Sequence, residues 1–289
     1  MGSPTRKLKQ KGRIPLPGPY QCHPRVGAVR PAEGCLPRKI LESAARDLQR
    51  PIPIPKSGTA LRKALEKALH VEPNHEHSFL SKLPVSSEMK RRLQTEYLRP
   101  PMPSEWKSDP DTWLDSLNIA DVMNQFEEVY PKFEFMGPFP IDFAAPNPYE
   151  KDSGKCLMNE MCELRVTKAL HNGTDSIGIV YNLDPHFKSG SHWVANFVDL
   201  KNHMCYYFDS YGMKPPHQVE KFMRWLTTQD PTMKLAYSAR RLQYKNTECG
   251  VYSIYFIIRM LLGDEFTEFS RRKPTDADML QLRNCLFST

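Results

Sequence analysis

The chain has 289 residues and a hydrophobic share of 40%, enough for a catalytic-sized core with a smaller accessory unit, and no apolar run approaches the roughly 18 residues that a membrane span needs. Charge is uneven: residues 1–100 carry 20 Lys/Arg against 8 Asp/Glu, a net of +12, whereas residues 101–289 carry 20 against 25, a net of −5. Seven cysteines with no Cys-x2-Cys spacing, of which Cys156 and Cys162 are the nearest to a pair, argue against a disulfide framework or a zinc site and suit a reducing compartment.

Residues 1–34 are rich in Pro, Gly, Lys and Arg, and runs such as Pro15-Leu16-Pro17-Gly18-Pro19 cannot enter a helix, so this segment reads as a flexible basic arm. Met1 to Arg13 lack a hydrophobic signal core, and neither secretion nor membrane insertion is expected. Such an arm suits nucleic acid or an acidic protein surface, through attraction that salt weakens, and equally suits a solvated tail. From Cys35 apolar residues recur at helical spacing, with helices predicted over Leu36 to Leu48, Thr59 to Leu69 and Ser87 to Leu98. These make residues 35–105 a small helical N-terminal domain that ends near Arg99-Pro100-Pro101-Met102-Pro103.

Residues 106–289 read as a mixed domain. Trp113, Leu114, Leu117, Ile119, Val122, Met123, Phe126 and Val129 mark an amphipathic helix that Asp115 or Ser116 could cap. Strands follow at Phe133 to Met136, Ile177 to Leu183, Trp193 to Leu200, His203 to Phe208 and Leu235 to Leu242, with helices at Gln218 to Thr228, Cys249 to Leu262 and Thr275 to Leu286. Strands apolar on both faces predict an α+β fold with a central sheet covered by helices.

The chemistry centres on Cys249. Asn246-Thr247-Glu248-Cys249-Gly250 opens the apolar run Val251 to Leu262, which places the thiol in the first turn of a buried helix. A helix N-terminus favours a thiolate and presents amides to a developing oxyanion, and Gly250 leaves room for a substrate carbonyl. Glu248 reads as an acid satisfying the backbone at the helix start. The base is sought on a hairpin. If Lys201-Asn202 forms its turn, with Asn202 left-handed, Leu200 faces His203 and paired positions sum to 403. His192 then lies opposite Tyr211, with Asp209 on the same face as that partner, close enough to fix the imidazole tautomer. A three-residue loop would shift the sum by one and separate them.

Gly190-Ser191-His192-Trp193-Val194, Phe208-Asp209-Ser210 and Gln243-Tyr244-Lys245-Asn246-Thr247-Glu248-Cys249-Gly250 resemble the His-Trp, Asp and Gln-x5-Cys-Gly motifs of the ubiquitin-like-protein (SUMO-type) cysteine proteases, which include adenovirus protease. The order His, Asp, Gln, Cys and its spacings of 17, 34 and 6 residues are similar to that clan, and to the core-polyprotein proteases of African swine fever virus and giant DNA viruses in particular. The resemblance covers about residues 109–289. It implies that Gln243 gives an oxyanion donor and that Trp193 roofs a narrow channel, so that scission follows a Gly-Gly or similar pair. It also implies a viral structural polyprotein as substrate during virion maturation, with residence in the host cytoplasm and the virion. Removal of SUMO or ubiquitin-like modifiers is the enzymatic alternative, and a core-binding protein without catalysis is the non-enzymatic one. No metal or organic cofactor is required for the thiol chemistry.

Overall fold

A computed structural model describes residues 14–150 and 154–289. Four helices come first: α1 (Arg38–Asp47), α2 (Gly58–Leu69), α3 (Glu76–Lys82) and α4 (Ser87–Tyr97). Ser57 and Ser86 cap α2 and α4 by accepting from the amides of Ala60 and Met89. Their apolar faces meet in a core of their own that includes Leu41, Leu61, Leu65, Phe79 and Leu93. Within that core Arg62 bonds to Glu66 and Glu76 at 2.8 and 2.9 Å and lies over the ring of Phe79, so its buried charge is compensated.

The segment read as a flexible arm differs from that expectation. From residue 14 onward it packs as an extended strap. Cys22 is bridged to Cys35, the Gln21 amide donates to the Cys285 carbonyl, the His23 amide to that of Tyr97, and the Arg99 amide to that of Gln21. Proline is excluded from a helix interior but permits an extended run, broken here by one 3-10 turn at Pro24–Val26, and the backbone partners come from the surfaces the strap crosses. Residues 1–13 lie outside the described residues. A second bridge joins Cys156 to Cys162, so four of the cysteines expected as thiols are paired, while Cys205, Cys249 and Cys285 are free.

The remainder runs α5 (Ser116–Val129), β1 (Phe133–Pro140), α6 (Asn159–Glu163), α7 (Val166–His171), β2 (Ser176–Asn182), β3 (Trp193–Asp199), β4 (Met204–Phe208), α8 (His217–Gln229), β5 (Lys234–Tyr237), α9 (Cys249–Leu261), α10 (Phe266–Arg271) and α11 (Asp276–Leu286). The five strands form one mixed sheet in the order β1-β2-β3-β4-β5, parallel in its outer pairs and antiparallel between β2, β3 and β4. Successive residues of β3 serve opposite cores. Ala195 and Phe197 face α5, α9, α10 and α11, whereas Val194 and Val198 face α7 and α8. This is the α+β arrangement expected, a central sheet covered by helices and preceded by a helical unit.

The hairpin pairs Ala195 with Phe208 and Asp199 with Met204, the register in which positions sum to 403. Its turn is built differently from the expectation: the left-handed residue is His203, at φ 56°, while Asn202 is held by Asp199 through its amide and side chain at 3.0 and 2.8 Å. β5 is also shorter than predicted. After Tyr237 the chain leaves the sheet edge, and the amides of Leu242 and Gln243 donate to the Ser210 carbonyl at 2.8 and 2.9 Å.

Candidate active site

The site lies where the ends of β3 and β4 meet the start of α9. Cys249 is the first residue of α9 and is 2% exposed. The thirteen residues of this helix are apolar nearly throughout, which buries it against β3, and its N-terminal dipole falls on the thiol. The Glu248 side chain makes no capping bond, which leaves the first amides of α9 open to an anion. Glu248 is instead buried against Arg283 of α11, bonded at 2.7 and 3.0 Å. The expected capping role is therefore replaced by an ion pair behind the nucleophile. Burial raises the Glu248 carboxyl above its usual range, against the pull of Arg283.

His192 immediately precedes β3 and Asp209 immediately follows β4, so the hairpin register brings them together. His192 Nε2 and Asp209 Oδ1 are 2.8 Å apart, and Oδ1 also accepts from the Tyr211 amide at 2.8 Å. The Tyr211 ring stacks on the imidazole, with centroids 4.6 Å apart. Engagement of Nε2 by Asp209 leaves Nδ1 for the thiol. Burial pulls the imidazole pKa down, but hydrogen bonds to Asp209 and Cys249 and their negative charge outweigh it and raise the value to about 9. The imidazolium is the favoured form near neutrality, which suits an imidazolium–thiolate pair.

Gln243 is fully buried. Its Oε1 accepts from the Ser210 hydroxyl at 2.6 Å, while its Nε2 has no hydrogen-bond partner. A buried orphan donor is costly, and an oxyanion beside Cys249 would satisfy it. Ser210, which fixes the amide orientation, was not singled out in the sequence; the Asp-Ser pair ending β4 is the signal that could have found it.

Trp193 lines a cleft of about 470 Å³ that also receives Trp113, Pro138, Asn182 and Gly190. Its indole donates to the Leu114 carbonyl at 2.9 Å, which holds the ring edge in place. Trp113 is 40% exposed and sits before α5 rather than on it, because Asp115 caps that helix with Asn118 in a capping box. It is a cleft residue the helical periodicity concealed. Gly250 is tightly packed: a Cβ there would meet Leu114 Cβ at 3.1 Å and Trp193 Cδ1 at 3.3 Å, so its small size lets α9 pack under the indole. Cys205 lies fully buried in β4, and burial pushes its thiol up to about 12, which makes it an inert core residue. Among the described residues no group of three or more His, Cys, Asp or Glu could hold a metal ion.

The chain is similar to known proteins in sequence and in fold. The Ulp1 protease family, C-terminal catalytic domain, matches residues 167–287. A thiol protease of Acanthamoeba polyphaga mimivirus is 33% identical over 194 residues, 64% of this chain, and the chain spans 59% of that relative's length. A cysteine protease of African swine fever virus is 32% identical over 185 residues, 60% of this chain and 67% of that protein. The crystal structure of an African swine fever virus protease is similar in fold, with a TM-score of 0.64 at 22% identity over 96% of this chain and 98% of that one.

Proposed function

The chain belongs to the Ulp1 protease family of cysteine peptidases, and we propose that it is an endopeptidase cutting after small residues, in particular a Gly-Gly pair, in a viral structural polyprotein during virion maturation. The observation that carries this reading is the buried set of His192, Asp209, Cys249 and the orphaned Gln243 amide, gathered where β3 begins, β4 ends and α9 starts. The Cys249 thiolate attacks the scissile carbonyl, and Gln243 Nε2 with the Cys249 amide holds the oxyanion. His192 then protonates the leaving amine and activates water for deacylation. The cleft between Trp113 and Trp193 receives the acyl side of the substrate; a glycine pair can lie flat where a Cβ would strike an indole. Viral relatives support a place in the host cytoplasm and the virion, and no helix among the described residues is long and apolar enough to cross a membrane.

African swine fever virus relatives that carry the name SUMO-1 cysteine protease favour a second reading, removal of ubiquitin-like modifiers. One experiment separates the readings: Gly-Gly-x and Ala-Gly-x peptides are offered beside folded SUMO and ubiquitin fusions, to the native chain and to Cys249→Ser. Cleavage of short peptides that is lost in the variant supports the maturation reading. Cleavage of the fusions alone moves the assignment to modifier removal, and silence on both assigns the fold to binding without catalysis.

A further inference from the structure

The sheet order sets two concave surfaces on opposite sides of the catalytic pair. The cleft beside Trp193 is drawn from the ends of β1 and β2. His192 and Asp209 lie at β3 and β4, in the middle. Beyond them, the chain that leaves β5 carries Arg240, Arg241 and Tyr244, which with Lys273 and Asp276 line a second cavity of about 540 Å³.

Positive charge exceeds negative in that cavity, three cations against one carboxylate. Arg240 Nη1 donates only to the carbonyls of Ser270 and Arg271, at 3.2 and 3.3 Å. Arg241 Nε donates to the Gln243 carbonyl at 2.8 Å, and its guanidinium lies over the rings of Tyr211 and Tyr244 at 5.3 and 5.1 Å. Lys273 has no hydrogen bond or ion pair among the described residues. The one acid in the lining, Asp276, is already taken: Oδ2 accepts from the amides of Tyr244 and Lys245 at 3.0 and 2.9 Å, and Oδ1 from the Tyr252 hydroxyl at 3.2 Å. Three cations without a carboxylate partner stand out in a region of the chain whose net charge is −5. Most other arginines of the region are paired, as Arg259 with Asp264 and Arg283 with Glu248, although Arg165 also donates only to carbonyls.

One cation of this cavity reaches the reaction centre through an aromatic ring. The Tyr211 ring that Arg241 covers is the ring stacked on His192. With the acyl side of a substrate in the opposite cleft, the leaving segment must exit past this ring. We propose that Arg240, Arg241 and Lys273 form a subsite for an acidic side chain on the leaving-group side of the scissile bond, so that substrates are selected by charge after the cut as well as by small residues before it. This rests on the peptidase reading above. The position of Arg241 over the ring that stacks on His192 favours a segment of the substrate over nucleic acid, which would have no reason to sit at the imidazole.

The test is a set of Gly-Gly peptides, identical before the bond, with a single Asp, Asn or Lys scanned through the positions after it. For each, kcat/KM is measured with the full chain and with Arg240→Gln combined with Lys273→Glu. The native chain is expected to prefer Asp over Asn by about three- to tenfold at one or more positions, with the preference shrinking at high salt, and the double variant is expected to bring the ratio to one or below. The ratio is internal to each protein, so partial misfolding does not alter it. A ratio near one in the native chain, or one unmoved by the double variant, overturns the subsite. Binding of a short DNA duplex that the same substitutions abolish, together with a peptide ratio near one, assigns the cations to nucleic acid instead and also overturns it. If no peptide is cut at all, it is the peptidase reading that has failed.

Discussion

The Ser210 hydroxyl donates to Gln243 Oε1 at 2.6 Å across 33 residues of sequence, and this bond aims the Gln243 Nε2 away from every other acceptor. Loss of the hydroxyl leaves Oε1 buried without a partner and lets the amide rotate. Ser210→Ala is expected to lower kcat by about tenfold with KM little changed, whereas Gln243→Ala, which removes the donor, lowers kcat by about a hundredfold or more. Steady-state kinetics on a cleaved peptide decides; equal effects on KM and kcat would show that the bond serves substrate binding rather than the oxyanion.

The ion pair between Glu248 and Arg283 fixes the turn that presents Cys249. Both side chains are almost wholly buried, and Arg283 also donates to the Thr112 carbonyl at 2.6 Å and lies over the ring of Trp106. Glu248→Ala leaves a buried guanidinium without its counter-charge, and about 3–5 kcal/mol of stability should be lost in a denaturant titration. Replacing both partners by Met is expected to cost much less, since no orphaned charge remains. A single-variant loss below about 1 kcal/mol would show that solvent reaches the pair.

Gly250 tests the packing of the nucleophile helix beneath the indole. Helix propensity alone would favour Ala there by about 1 kcal/mol. The contacts at 3.1 and 3.3 Å to Leu114 and Trp193 oppose it, and overpacking of this kind costs about 1–3 kcal/mol. Gly250→Ala should therefore destabilise the protein and, by shifting Trp193, reduce kcat/KM. Leu114→Gly in the same chain, which removes the Cβ that the new methyl meets, should recover part of the loss in kcat/KM; strict additivity of the two substitutions would rule out the contact.

The parts of the site legible in the sequence are those encoded by local periodicity. An apolar run opening at Cys249 marks a buried helix, and two alternating strands around Lys201-Asn202 set the parity that brings His192 to Asp209. Contacts made across long separations were not legible. Arg283 reaches Glu248 over 35 residues, and the Trp193 indole reaches the Leu114 carbonyl over 79; neither pair has a local signal. Gln243 entered only through the family resemblance, because an irregular loop carries it to Ser210. Composition misread residues 14–34, since proline content reports what a segment cannot form and not what it lies against. The same limit hid the Cys22–Cys35 and Cys156–Cys162 bridges, which depend on the path of the chain.

Asp209 controls the proton on His192, and this gives the pH dependence a definite sign. The imidazole is raised from 6.5 to about 9 in the folded protein, so its charged pairing with Asp209 contributes in full below pH 6.5 and is lost as pH rises through about 9. The imidazolium is also the acid that protonates the leaving amine. Peptide cleavage is therefore expected to fall on an alkaline limb centred near pH 9. Asp209→Asn removes the negative charge beside Nε2 and leaves only a neutral amide there, and the limb should move to lower pH together with a fall in kcat. Direct titration of the imidazole by NMR in the native chain and the variant provides the independent reading. An alkaline limb that stays in place in Asp209→Asn would mean that a group other than His192 sets it, and the assignment of His192 as the proton donor would fail.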